Sequence, residues 1–192
     1  MKTNAVLEII KSSISVNSQI LSDNQLISDI VRISELITDC FNSGGKVLFC
    51  GNGGSAADAQ HLAAEFSGRF YKDRAPLFSE SLSVNTSYLT AVANDYSYDE
   101  VYARLVRAMG RPGDILVAIS TSGNSNNIIK AVEAANDLDM ITIGLTGLTG
   151  GRMIEVCKEL IKVPSKDTPR IQESHIMIGH IICELVESSV FK

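Results

Sequence analysis

A histidine and a glutamate four residues apart, His61 and Glu65, follow closely on a glycine-rich stretch, Gly51-Asn52-Gly53-Gly54-Ser55. On a helix that spacing puts both side chains on one face, where an imidazole and a carboxylate can share a metal ion or move a proton. The stretch before them has its own chemistry. It joins a short apolar run, residues 47–50, to a helix beginning near Ala56, and a helix N-terminus turns free N–H groups and a positive dipole toward an anion or a sugar. A second loop of this build, Ser120-Thr121-Ser122-Gly123-Asn124-Ser125, lies between an apolar run at 114–119 and a helical stretch over 126–137. Its hydroxyls can cradle a phosphate dianion without a lysine. Two such loops at the carboxyl ends of parallel strands converge on one crevice. The other histidines, His175 and His180, stand on a long apolar stretch over 170–191 beside Gln172, Glu173 and Glu184. His180 suits a proton shuttle, whereas His175 is expected to be a packed, hydrogen-bonded core residue.

The elements that must position these groups alternate along the chain. Apolar runs at 47–50, 114–119, 140–145 and 160–163, with a shorter one near 81–84, read as strands separated by helical stretches. That order predicts an α/β fold: a parallel sheet with helices on both faces, joined by right-handed crossovers. Ahead of it, apolar residues at helical spacing over 4–20 and 24–42 predict a helix pair, the second closed by Gly44-Gly45. Between the two loops, one helical patch stops at Asn94-Asp95 and another, from Tyr98 to Met109, ends at Gly110 before Pro112. Asn94 and Asp95 therefore fall at a helix end or turn.

At 192 residues, 45% hydrophobic and 20% charged, the chain reads as one domain over 1–192. Residues 1–43 are the helix pair, for packing or oligomerisation, and 44–192 the α/β core with its long final helix. The net charge of -5 and pI near 5.2 argue against a nucleic-acid or anionic-membrane partner. Residues 1–43 carry Lys2, Lys11 and Arg32 against Glu8, Asp23, Asp29, Glu35 and Asp39, a balance that repels phosphates. No apolar run approaches the roughly 18 residues a membrane span needs. The first seventeen residues lack the apolar core of a signal peptide. Cys40, Cys50, Cys157 and Cys183 stand far apart with no CxxC pair, so reduced thiols and a cytoplasmic location are expected.

Four segments in order, GNGGSAADAQHLAAEFSGR, AVANDY, AISTSGNS and RIQESHIMIGH, resemble the sugar isomerase (SIS) domain family, in its branch acting on sedoheptulose 7-phosphate. The resemblance runs from about Gly44 to the C-terminus. It implies a three-layer sandwich around a five-stranded parallel sheet of flavodoxin-like or Rossmann-like type, a homotetramer with active sites shared between subunits, and one zinc ion per subunit. Residue by residue, it implies that Asn52, Gly53 and Gly54 contact the sugar and that Asn94 and Asp95 hold its hydroxyls. Ser120, Thr121, Ser122 and Ser125 would bind the phosphate. His61, Glu65, Gln172 and His180 would ligate the zinc, Glu65 and Gln172 also touching substrate. The implied reaction converts D-sedoheptulose 7-phosphate to D-glycero-D-manno-heptose 7-phosphate, the first step toward nucleotide-activated heptose for bacterial lipopolysaccharide or capsule. One position departs from the pattern: family members often carry Asp immediately before Arg-Ile-Gln-Glu, whereas here Pro169 stands there and Asp167 lies two residues upstream.

Such a reaction needs a base, an acid and an electrophile. Glu65, one turn beyond His61, is the natural base, and His180 the natural acid or shuttle. Zinc on nitrogen and oxygen ligands would be the electrophile. A carboxylate bound tightly to metal is a poorer base, so Glu65 is expected to ligate and to abstract in alternate states. Gln172 and His180 are separated by about 12 Å along a straight helix, whereas ligands of one ion end roughly 3 to 4 Å apart. One of them is therefore expected from a neighbouring subunit, or the helix is locally displaced. Rival readings within the family are a non-catalytic binding protein of the replication-initiator-associating type, a regulator fused to a helix-turn-helix module, and an isomerase of another phosphosugar. Glu65 and His180 favour an enzyme, the short acidic N-terminus leaves no room for a DNA-binding module, and the serine loop does not separate one phosphosugar from another.

Overall fold

The computed structural model describes residues 2–191. Helices α1 (Lys2–Ser22) and α2 (Asn24–Asn42) come first, and Asp23 caps the second by accepting from the N–H groups of Gln25 and Leu26 at 3.0 Å each. The order then alternates: β1 (Val47–Gly51), α3 (Gly54–Ser67), β2 (Ser79–Ser81), α4 (Thr86–Asp95), a 3-10 turn (Tyr98–Glu100) and α5 (Val101–Met109). There follow β3 (Ile115–Ile119), α6 (Asn126–Asn136), β4 (Ile141–Thr146), a short α7 (Met153–Val156), β5 (Glu159–Lys162) and α8 (Thr168–Val190).

All five strands pair in parallel, in the order β2-β1-β3-β4-β5. Alternate strand residues supply two cores. Val47 and Phe49 face the layer of α1, α2, α3 and α8, while Leu48 and Cys50 face the layer of α4 to α7. Burial on both faces is why β1 and β3 are continuous apolar runs. The chain leaves β1 toward β2 on one side and β3 toward β4 on the other, so the loops after β1 and β3 diverge at the point where the strand order reverses. Open α/β sheets present their ligand crevice there.

The parallel sheet and its two helical layers match the expectation. One strand is displaced: β2 occupies Ser79–Ser81, not the apolar run near 81–84. Its buried faces are serines, Ser79 donating its hydroxyl to the Val47 carbonyl at 3.0 Å, so an edge strand was hidden from a hydrophobic pattern. α3 begins two residues earlier than expected, because Gly53 at φ +57° turns the chain directly into the helix. All four cysteines are free thiols; burial pushes Cys40 up to about 11 and Cys157 to about 12. Among the described residues no helix is long and apolar enough to cross a membrane.

Candidate active site

The last residue of β1 tolerates no side chain, since a Cβ on Gly51 would lie 2.3 Å from the Ser55 carbonyl oxygen. α3 then carries His61 and Glu65 on one face, His61 Nε2 standing 3.0 Å from Glu65 Oε1. α8 runs beside α3 in the same direction. Gln172 lies against Gly54 at one end and Gly179 against Leu62 two turns on, where a Cβ would come within 2.6 Å of the leucine side chain. That close approach brings His180 Nε2 to 3.1 Å from His61 Nε2.

Ligand atoms of His61, Glu65 and His180 all lie within 4.8 Å of one another. Donors of a tetrahedral zinc ion with bonds of about 2.0–2.2 Å stand roughly 3.3–3.5 Å apart; the two contacts of His61, at 3.0 and 3.1 Å, lie near that spacing, and nitrogen and oxygen donors suit the metal. Gln172 lies on the same two packed helices, toward the start of α3. Its amide occupies the start of α3, where a Cβ on Gly54 would meet Gln172 Nε2 at 2.6 Å, and α8 is unbroken between Gln172 and His180. The helix is therefore continuous through both residues.

The hydroxyl loop is compact. Ser120 Oγ is buried, 3.2 Å from Ser125 Oγ and 3.5 Å from Ser122 Oγ, while Ser122 Oγ accepts from the Asn124 N–H at 3.2 Å. Ser125 sits at the N-cap of α6 without spending its side chain on a capping bond. Thr121 is half-buried and its carbonyl accepts from the Gly147 N–H at 3.0 Å. The loop rests on the glycines after β4: a Cβ on Gly123 would fall 2.0 Å from the Gly150 oxygen. Beside it a polar cleft of about 260 Å³ is lined by Thr121, Ser122, Asn124, Ser165, Lys166 and Thr168.

Asn94 and Asp95 end α4, exposed and bonded to each other at 2.9 Å. Three residues beyond, the Tyr98 hydroxyl donates to Asn52 Oδ1 at 3.2 Å. Sequence reasoning missed the residue that joins the two loops. Asn127 is buried on α6 and exchanges two hydrogen bonds of 2.9 Å with Asn52, and Tyr102 donates to the Gly51 carbonyl at 2.6 Å. A polar side chain directly before Ile128 and Ile129, on a helix face that must be buried, was the available signal, because such a group needs a partner. Asp167 is the N-cap residue of α8 with Pro169 in its first turn. His175 is fully buried, 3.1 Å from the Thr146 carbonyl, and burial lowers its pKa to about 4, as a core histidine requires.

The SIS domain family model matches residues 11–147. A phosphoheptose isomerase of Aneurinibacillus thermoaerophilus is 53% identical over 183 residues, 95% of this chain and 92% of that one. Among solved structures, a phosphoheptose isomerase from Neisseria gonorrhoeae superposes with a TM-score of 0.92 at 43% identity, covering 98% of this chain and 100% of the other. One from Francisella tularensis gives 0.94 at 35% identity, covering 98% and 99%. Likeness of this degree, along nearly the full length of each partner, means that the chain belongs to the SIS domain family, among its phosphoheptose isomerases.

Proposed function

We propose that this chain interconverts D-sedoheptulose 7-phosphate and D-glycero-D-manno-heptose 7-phosphate through an enediolate. The observation that carries the reading is the grouping of His61, Glu65 and His180, a base, an acid and two nitrogen donors drawn from two packed helices. Ser120, Thr121, Ser122 and Ser125 hold the phosphate. Asn52, Gly53, Gly54 and Gln172 contact the sugar, and Asn94 and Asp95 take its hydroxyls.

Glu65 removes the proton at C1, the C–H electron pair forms the C1–C2 double bond, and His180 protonates O2. In the second half Glu65 returns its proton to C2 while O1 passes its proton to His180, leaving the aldehyde at C1 and both side chains restored. His61, Glu65 and His180 would hold zinc, with Gln172 arriving from a neighbouring subunit of a homotetramer. Zinc, when bound, supplies Lewis-acid polarisation of the sugar carbonyl. Glu65 serves as ligand or as base, not both at once. The enzyme acts in the cytoplasm, a location its four free thiols support.

The test is turnover of sedoheptulose 7-phosphate by the purified protein, with and without a chelator, beside Glu65→Gln and His180→Gln. Each substitution is expected to lower kcat by on the order of 10²–10⁴, and chelation to abolish activity that added zinc restores. Wild-type protein inert with zinc present would sink the isomerase reading in favour of a binding protein.

A further inference from the structure

Arg74 and Glu187 form an ion pair of 2.9 Å whose side chains are 3% and 2% exposed. Neither belongs to the site above, yet together they grip both helices that carry it. Glu187 lies on α8 two turns beyond His180, on the same face. Its four acceptor positions are all used. Oε1 takes the Phe70 N–H at 3.1 Å and Arg74 Nε at 2.9 Å, and Oε2 takes the N–H groups of Tyr71 at 2.8 Å and Lys72 at 2.9 Å. Burial alone would push this carboxyl up, but the N–H donors and the guanidinium outweigh it and hold the carboxyl below its usual range.

The rest of the Arg74 guanidinium closes the end of α3. Nη2 donates to the Glu65 carbonyl at 2.8 Å, and Nη1 to the carbonyls of Phe66 at 2.7 Å and Gly68 at 3.3 Å. These are carbonyls that a helix leaves unpaired at its C-terminus, and a cation there also opposes the helix dipole. The segment folded back in this way sets the Phe70 ring 5.7 Å from the ring of His180. One side chain thus bonds the backbone of Glu65 itself, and its partner is rooted in the helix of His180.

A buried ion pair is a poor device for stability, since its desolvation offsets most of its attraction. Its geometry serves another end. We propose that Arg74 and Glu187 are positioning residues for the isomerase: they set the distance between the α3 turn bearing His61 and Glu65 and the α8 turn bearing His180. The proposal deepens the function proposed above and rests on it. The 3.1 Å contact between His61 on α3 and His180 on α8 does not survive a relative shift of about 1 Å.

The test compares full-length wild type with Arg74→Lys, Glu187→Gln and Glu187→Asp, measuring zinc affinity by competition with a chromophoric chelator and steady-state kinetics on sedoheptulose 7-phosphate. Arg74→Lys and Glu187→Gln are expected to bind zinc roughly 10–100-fold more weakly and to lose kcat by a similar factor, with KM within about threefold of wild type. Lysine does not rescue, because it keeps the charge and loses the fork of donors. Glu187→Asp, which keeps the acceptors but withdraws them by one methylene, recovers part of both losses. Variants that melt lower yet match wild type in zinc affinity and kcat, or that do not fold at all, assign the pair to stability alone and overturn the proposal. Wild type that neither binds zinc nor turns over the sugar phosphate overturns the functional reading, and this proposal with it.

Discussion

His61 and His180 bring two imidazole nitrogens to 3.1 Å, a contact that neutral rings satisfy only if one donates and the other accepts, and that a cation between them satisfies from both sides. His175, five residues away on the same helix, has the opposite surroundings. Its Nε2 meets the Thr146 carbonyl, and its buried Nδ1 has no partner among the described residues, so a proton there would be a charge without a counterpart. Unfolding releases this constraint. The unfolded ring takes a proton below about 6.5, the folded one only near 4, so the stability His175 contributes is complete above 6.5 and lost as pH falls toward 4. The loss is expected to reach roughly 3 kcal/mol. Thermal melts of wild type and His175→Gln between pH 7 and pH 4 check it, the variant showing the flatter profile. Glu187, held below the usual carboxylate range, adds a second loss at still lower pH. The core placement of His175 was legible because it stands in an apolar helical stretch. The pairing of His61 with His180 was implied by the family resemblance alone; spacing could not show it, because 119 residues separate them.

The site is assembled by loops whose shape depends on their neighbours. The hydroxyl loop after β3 seats on the Gly150-Gly151 turn, and Gly123 at φ +67° has no room for a methyl group. Gly123→Ala is expected to cost roughly 1–3 kcal/mol in backbone strain. By misplacing Ser122 and Ser125 it should also raise KM for the phosphorylated sugar on the order of tenfold, the worth of about one hydrogen bond. Denaturant unfolding and steady-state kinetics on the same preparation measure both. Helices α2, α6 and α8 were legible from their apolar spacing, as were strands β1, β3 and β4, which are buried on both faces. β2 was misplaced because its inward residues are serines, and α7 was missed because four residues carry no period.

At the scale of the molecule, α1 is the element with least to do inside one chain. Only Val16 and Ile20 of its side chains are buried, while Val6, Ile9, Ile14 and Leu21 are 54%, 56%, 58% and 76% exposed. A groove of about 340 Å³ between α1, α2 and α8, lined by Ile20, Leu21, Ile27, Val31, Met177 and Ile181, continues that apolar surface. Apolar area of this extent is the mark of a protein–protein contact, and it supports the proposed homotetramer. Replacing both Ile14 and Leu21 by Lys is expected to lower the assembly mass from about four times the 20.7 kDa chain while far-UV circular dichroism stays unchanged. Activity should fall with the assembly if Gln172 arrives from a neighbour. Light scattering that finds the wild type monomeric would remove the tetramer from the scheme.

The sequence by itself determined the alternation of strands and helices, the position of the glycine-rich and hydroxyl-rich loops and the shared face of His61 and Glu65. Each follows from periodicity or from glycine and hydroxyl chemistry within a few residues. Tertiary structure alone decided that α3 and α8 run side by side through Gly179, that Gln172 lies at Gly54 while His180 lies at His61, that Asn127 joins the two loops, and that Arg74 and Glu187 tie α3 to α8. Those are contacts between residues 75 to 119 positions apart. Local propensity carries no information about them, because they exist only once two separate helices have been packed on the same sheet.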